Sequence, residues 1–136
     1  MLQNSLENAI SKMWNEHDLS LIDRLFHERV VIHSLLGTYY GPQAMRRMVE
    51  SWLRAFPDLK VQHLYHCFDR DRLVIQWDAT ATHCNELKGI PATHQRVYYS
   101  GVSIYRLNDS QVVEYWAYID MDNLLNQLRE TQKAIV

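Results

Sequence analysis

The chain has 136 residues, 47% hydrophobic and 22% charged, with 14 Lys plus Arg against 16 Asp plus Glu and a formal net charge of −2. That length suits one domain over residues 1–136 that buries its own core without metal or disulfide support. The near-neutral charge argues against a phosphate-backbone binder, so no nucleic-acid partner is expected. With 4 Gly and 3 Pro the chain is neither collagenous nor low-complexity. Its 4 Trp, 8 Tyr and 7 His suggest a lined pocket more than a plain aliphatic core. Cys67 and Cys84 do not form a disulfide framework and read as small, partly buried hydrophobes. No apolar run is long enough to cross a membrane, and the first residues lack a secretory pattern. The expectation is a cytoplasmic protein with no membrane partner.

Leu2, Leu6, Ala9, Ile10, Met13 and Trp14 recur at helical spacing and predict an amphipathic first helix. Asp18 can cap a short second helix carrying Leu19, Ile22, Leu25 and Phe26. Val30-Val31-Ile32 reads as a strand leading through His33 to Gly37. Gly41-Pro42 opens a third helix, in which Met45, Met48, Val49, Trp52, Leu53 and Phe56 form one stripe; Pro57 stops it. From Leu59 the pattern alternates, placing Leu59, Val61, His63, Tyr65 and Cys67 on one face. After a polar turn at residues 69–72, a long strand carries Leu73, Ile75, Trp77, Ala79, Ala81 and His83 on one face. A loop from Asn85 to Gln95 leads to a strand over Arg96–Arg106. Asn108-Asp109-Ser110 turns into a last strand, from Gln111 to about Asp120. A short helix with Leu124, Leu125 and Leu128 follows. Helices first and a strand meander afterwards indicate an α+β domain with helices on one face of a curved sheet.

The last strand offers the strongest local feature, because alternation points Glu114, Trp116, Tyr118 and Asp120 the same way. A carboxylate ending an aromatic strand at an apolar cavity would have a raised pKa and suit proton transfer. Equally, Asp120 can simply cap the final helix. His83 ends the Trp77 strand with the same parity, and His33 ends the early strand; either can face a ligand or bond a loop carbonyl. His63 and His66 would point to opposite faces of a strand, and no zinc-ligand spacing is present, so no metal is expected. Phosphate-cradling glycine loops and nucleophile elbows are absent as well.

Several segments, in register over about residues 20–128, resemble the SnoaL-like polyketide cyclases, an ester-cyclase family. Ala55-Phe56-Pro57-Asp58-Leu59 is similar to the Phe-Pro-Asp-Leu signature, and Gly41-Pro42-Gln43-Ala44-Met45 to the start of the family's third helix. Ala81-Thr82-His83 and Leu87 to Thr93 resemble its Gly-Thr-His and Leu-x-Gly-Ile-Pro run. Val112-Val113-Glu114-Tyr115-Trp116, Asp120 and Gln127-Leu128 resemble its closing pattern. The resemblance implies a nuclear-transport-factor-2-like (cystatin-like) cone: helices against a strongly curved, mainly antiparallel mixed sheet that encloses a pocket. It also implies aldol-type ring closure without metal or cofactor, with Asp120 as the acid/base residue and His83 beside it.

The expected function is acid/base catalysis on a small, partly apolar carbonyl compound, by cyclisation or isomerisation. Asp120 and His83 are the expected catalytic pair. His33, Trp14, Trp52, Phe56, Trp77, Tyr98 and Trp116 are the expected ligand-binding residues. The alternative is a small-ligand-binding module without turnover, in which Asp120 is tied up as a cap. A homodimer through the half-apolar outer sheet face is also expected.

Overall fold

The computed structural model describes the backbone of residues 2–135 and the side chains of residues 5–130. Helices α1 (Leu2–Asn15) and α2 (Leu21–Leu25) come first, followed by strands β1 (Phe26–Ser34) and β2 (Gly37–Tyr40) and helix α3 (Pro42–Ala55). Strands β3 (Lys60–Asp69), β4 (Arg72–Thr82), β5 (Arg96–Asn108) and β6 (Gln111–Ile119) then form a meander, and α4 (Met121–Ile135) closes the described chain. The six strands make one sheet in the order β2-β1-β6-β5-β4-β3. Only the β1–β6 pairing is parallel, which makes the sheet mixed and mainly antiparallel.

Local chemistry sets most boundaries. Pro42 sits in the first turn of α3 behind Gly41, whose φ of 88° suits glycine. Asp109 and Ser110, both at positive φ, form the two-residue turn of the β5–β6 hairpin, between the paired Asn108 and Gln111. Some boundaries depart from the sequence pattern. Ser20, not Asp18, precedes α2 at its N-cap, and Phe26 belongs to β1. Strand β2 is exposed along its whole length, so it has no buried face to produce an alternating signal.

Parity along the strands decides what faces the helices. On β4 it runs as expected: Leu73, Ile75, Ala79 and Ala81 are buried, and His83 follows in step. On β3 it breaks. His63 pairs with Trp77 but Tyr65 pairs with Gln76, leaving Leu64 as an extra residue. This bulge turns His66 and Phe68 inward and sends Tyr65 and Cys67 out, where both are exposed. A second shift, with Arg106 on Glu114 but Leu107 on Val112, leaves Val113 unpaired on β6. Beyond it, Tyr115, Ala117 and Ile119 face the helices, while Glu114, Trp116 and Tyr118 face away.

The core lies between this inner sheet face and the helices. One part gathers α1, α2 and the start of α3 on β1 and the far end of the sheet. The other joins the end of α3 and α4 to β4 and β5. Trp14, Leu53 and Trp77 touch both parts. The loop after α3 is latched by Asp58, whose carboxylate accepts the Thr82 backbone N–H and hydroxyl, each at 2.7 Å. Burial alone would raise the Asp58 pKa, but the Thr82 bonds and the nearby Arg96 outweigh it and leave it lowered. Gln127 of α4 does similar work, donating to the Tyr98 carbonyl at 2.6 Å and accepting its N–H at 3.1 Å.

Candidate functional site

A cavity of about 570 Å³ opens between the helices and the inner face of the sheet. Ile10 and Trp14 of α1 and Met48 and Trp52 of α3 form its roof. Val61 and His63 of β3, Trp77 of β4, Tyr99, Ser103 and Tyr105 of β5, and Tyr115, Ala117 and Ile119 of β6 form its floor. Leu35, Leu36 and Tyr39, all exposed, border it from the β1–β2 hairpin, and Glu86, Leu87 and Lys88 border it from the long loop. Such a largely apolar space with a few fixed polar groups is the usual form of a small-molecule site.

The polar groups on its wall are held by one another. The Trp52 indole N–H donates to the Tyr99 hydroxyl at 2.7 Å, and burial pushes the Tyr99 phenol up. The Trp77 indole N–H donates to Ser103 Oγ at 3.0 Å. Tyr105 and Tyr115 stack with ring centres 4.9 Å apart. Burial raises the pKa of both phenols, so they are neutral hydroxyls at physiological pH. His63 differs, because its Nδ1 faces a carboxylate: Glu7 Oε1 of α1, 3.3 Å away. The other oxygen of Glu7 is 2.9 Å from His66 Nδ1. At the rim, Arg47 and Ser51 of α3 are exposed. Among the described residues no group of three or more His, Cys, Asp or Glu side chains is arranged to hold a metal ion.

The sequence profile of the SnoaL-like polyketide cyclases matches residues 4–128. The chain belongs to that family. AclR from Streptomyces galilaeus, described as a proposed hydroxylase, is 32% identical, with a TM-score of 0.84 over 94% of this chain and 96% of its own. A proposed polyketide cyclase from Acidithiobacillus ferrooxidans is 22% identical, with a TM-score of 0.85 over 96% of both chains. IdmH from Streptomyces antibioticus, another proposed cyclase, is 21% identical, with a TM-score of 0.82 over 93% of this chain and 97% of its own. No curated protein matches. The α+β architecture is thus the nuclear-transport-factor-2-like cone of the SnoaL family.

Within this SnoaL fold, Trp14, Trp52 and Trp77 stand on the cavity wall. Phe56 lies behind it, fully buried against Trp52, Tyr99 and His83. Tyr98 is on the opposite sheet face, 53% exposed, and donates to Asp78 Oδ2 at 2.7 Å. Trp116 is also on that face, because the Val113 bulge reverses its parity; it stacks on His33 with centres 5.3 Å apart. His33 Nε2 is 2.7 Å from Glu114 Oε2, so His33 too is away from the cavity.

The two residues expected to carry catalysis are also placed off the cavity wall. Asp120 is the exposed N-cap residue of α4: its Oδ1 accepts the Asn123 N–H at 3.3 Å, and its carbonyl accepts the Leu124 N–H at 3.2 Å. His83 is fully buried, its Nδ1 accepting the Thr93 N–H at 3.2 Å and its Nε2 without a hydrogen-bond partner among the described residues. Burial lowers the His83 pKa, with the Asn85 carbonyl offsetting only part of the effect. The residues that sequence reasoning missed are His63, Tyr99, Ser103, Tyr105 and Tyr115. The Val97-to-Leu107 alternation on β5 carried a signal for Tyr99, Ser103 and Tyr105. For Tyr115 the Val113 bulge removed it, whereas His63 precedes the Leu64 bulge and keeps the face that Leu59 and Val61 share.

The outer-face cluster gives a pH prediction. The His33 hydrogen bond, then Arg106 at 3.0–3.1 Å, hold the Glu114 pKa below its ordinary 4.5 despite partial burial. A depressed carboxylate pKa adds stability above the unfolded value, and that stability is lost as pH falls through the folded value. Glu114→Gln should therefore lower the melting temperature at neutral pH. The gap to the parent should close as pH falls below 4.5 in melting curves taken from pH 7 to 3.

Proposed function

We propose that the cavity binds a flat, partly apolar ring compound bearing a carbonyl, and that the protein moves a proton next to that carbonyl without a cofactor. Ring closure by an aldol step or isomerisation are the reactions this reading covers. The observation that carries it is the pairing, around one cavity, of three indoles with hydroxyls and an imidazole. The indoles offer stacking surface, and the fixed donors orient an oxygen. This reading takes the acid/base role away from Asp120. Asp120→Ala should cost about 1 kcal/mol through loss of the α4 cap. It should leave ligand affinity unchanged, as measured by urea unfolding and by titration.

A second reading is hydroxylation, favoured by the 32% identity to AclR. Both begin with a ring compound in the cavity, and the product separates them. Flat ring ketones would be screened by thermal shift, and those that bind followed by mass spectrometry. A changed retention time at unchanged mass supports cyclisation or isomerisation, and a gain of one oxygen, in assays supplied with molecular oxygen and a two-electron reductant, supports hydroxylation. Binding with no product leaves the module without turnover. We also infer a homodimer through the outer sheet face, where Tyr65, Tyr98 and Tyr118 are exposed; light scattering at twice the chain mass is the expected result.

A further inference from the structure

His63 is the one histidine among the described residues that lines the cavity. Its side chain and that of Glu7 are 12% and 18% exposed, so their 3.3 Å contact is largely shielded from water. The Leu64 bulge explains how one carboxylate reaches two histidines: it brings His63 and His66 to the same side of β3, on either oxygen of Glu7. His66 thereby holds Glu7 from behind, at 2.9 Å, while His63 stands between Glu7 and the cavity. A neutral imidazole that donates from Nδ1 to a carboxylate carries its lone pair on Nε2. The described residues give His63 Nε2 no hydrogen-bond partner. The neighbour of His63 across the sheet is Trp77, an uncharged stacking surface.

We propose that His63 is the proton-transfer residue of the cavity and that Glu7 is its positioning residue. This rests on the carbonyl-ligand reading above and deepens it. Nε2 of His63 takes a proton from the carbon beside the carbonyl, and the C–H electron pair becomes the enolate. The imidazolium is stabilised by Glu7, whose negative charge faces Nδ1–H. In ring closure the enolate carbon attacks a second carbonyl of the same molecule. A C–C bond forms, the C=O pair moves to oxygen, and that oxygen takes the proton back from Nε2. The sum is an isomerisation that leaves His63 neutral and consumes no co-reactant. A purely structural role, pinning α1 to β3, would need neither a lone pair on Nε2 nor a place on the cavity wall.

The test uses 2-tetralone, a flat bicyclic ketone, as probe. Binding is read by tryptophan fluorescence and proton removal by deuterium exchange at its acidic carbon in D₂O. The parent should accelerate exchange over buffer. His63→Gln should lose on the order of 100-fold or more at similar affinity, within the usual range for a general base. Glu7→Gln should lose about tenfold in rate, and Glu7→Asp should recover part of it. His66→Gln should leave binding intact. Equal exchange by the parent and His63→Gln overturns the proposal, as does bound ketone that exchanges no faster than in buffer; in both cases the binding reading stands. A probe that does not bind counts against the ligand class instead. The His63 tautomer in long-range ¹H–¹⁵N spectra of the ¹⁵N-labelled parent then decides: Nδ1–H supports the proposal and Nε2–H overturns it.

Discussion

Replacing Gly101 with alanine is expected to cost about 3 kcal/mol, the upper range for overpacking a close-fitted interior. Gly101 is on β5, opposite Trp77 on one side and Ile119 on the other. A Cβ there would collide with the Tyr118 carbonyl oxygen and come within 2.5 Å of Trp77 Cζ2. The backbone of β6 cannot yield without breaking its ladder, and the indole cannot yield without leaving Ser103. Gly101 thus provides the space in which Trp77 lies flat against the floor of the cavity. Urea unfolding should show the midpoint fall with an unchanged slope. The variant should also bind ring ketones more weakly, because Trp77 is displaced. Unchanged stability would mean that Trp77 does not lie over Gly101.

The second large effect comes from filling the cavity. Ala117 lines the floor between Tyr115 and Ile119 and is 8% exposed. Ala117→Phe would project a ring into open space rather than into packed atoms, so the melting temperature should hold or rise. Affinity for a ligand of this cavity should fall on the order of 100-fold, about 2.7 kcal/mol, because the ring takes the ligand's place. The two variants separate two causes of lost binding. Gly101→Ala loses it with stability; Ala117→Phe loses it with stability intact.

Much of the fold was legible because burial imposes a period. The stripes of α1 and α3 and the alternation of β4 follow from one face meeting the core, and those readings hold from Leu6 to Trp14, Met45 to Phe56 and Leu73 to Ala81, with Leu2 outside the described side chains. The reading of the site was weaker, for two physical reasons. A bulge adds one residue and reverses every later side chain, with no local sign in composition. Leu64 and Val113 do this, so Trp116 faced outward and Tyr115 inward, and His63 and His66 met on one carboxylate.

The second reason is that the family-like residues act chiefly as fasteners. Asp58 holds the loop after α3 to β4, Gln127 holds α4 to β5, and Asp120 caps α4. Such residues mark the ends of elements, and they stand out in sequence more than the wall of the cavity does. Tyr98 and Tyr99, adjacent and chemically identical, differ only in parity: one is exposed outside and the other buried inside, on the face of Val97 and Tyr105. The three indoles on the wall were found because helix stripes and the β4 alternation were undisturbed.

The four tryptophans make the most direct test, because Trp14, Trp52 and Trp77 line the cavity while Trp116 stacks on His33 across the sheet. Their indole N–H signals would be followed by ¹H–¹⁵N NMR while 2-tetralone is titrated into the ¹⁵N-labelled protein. Saturable shifts of Trp14, Trp52 and Trp77, with Trp116 stationary, are the predicted result. Shifts confined to Trp116, or spread equally over all four, would contradict a ligand site inside the cone.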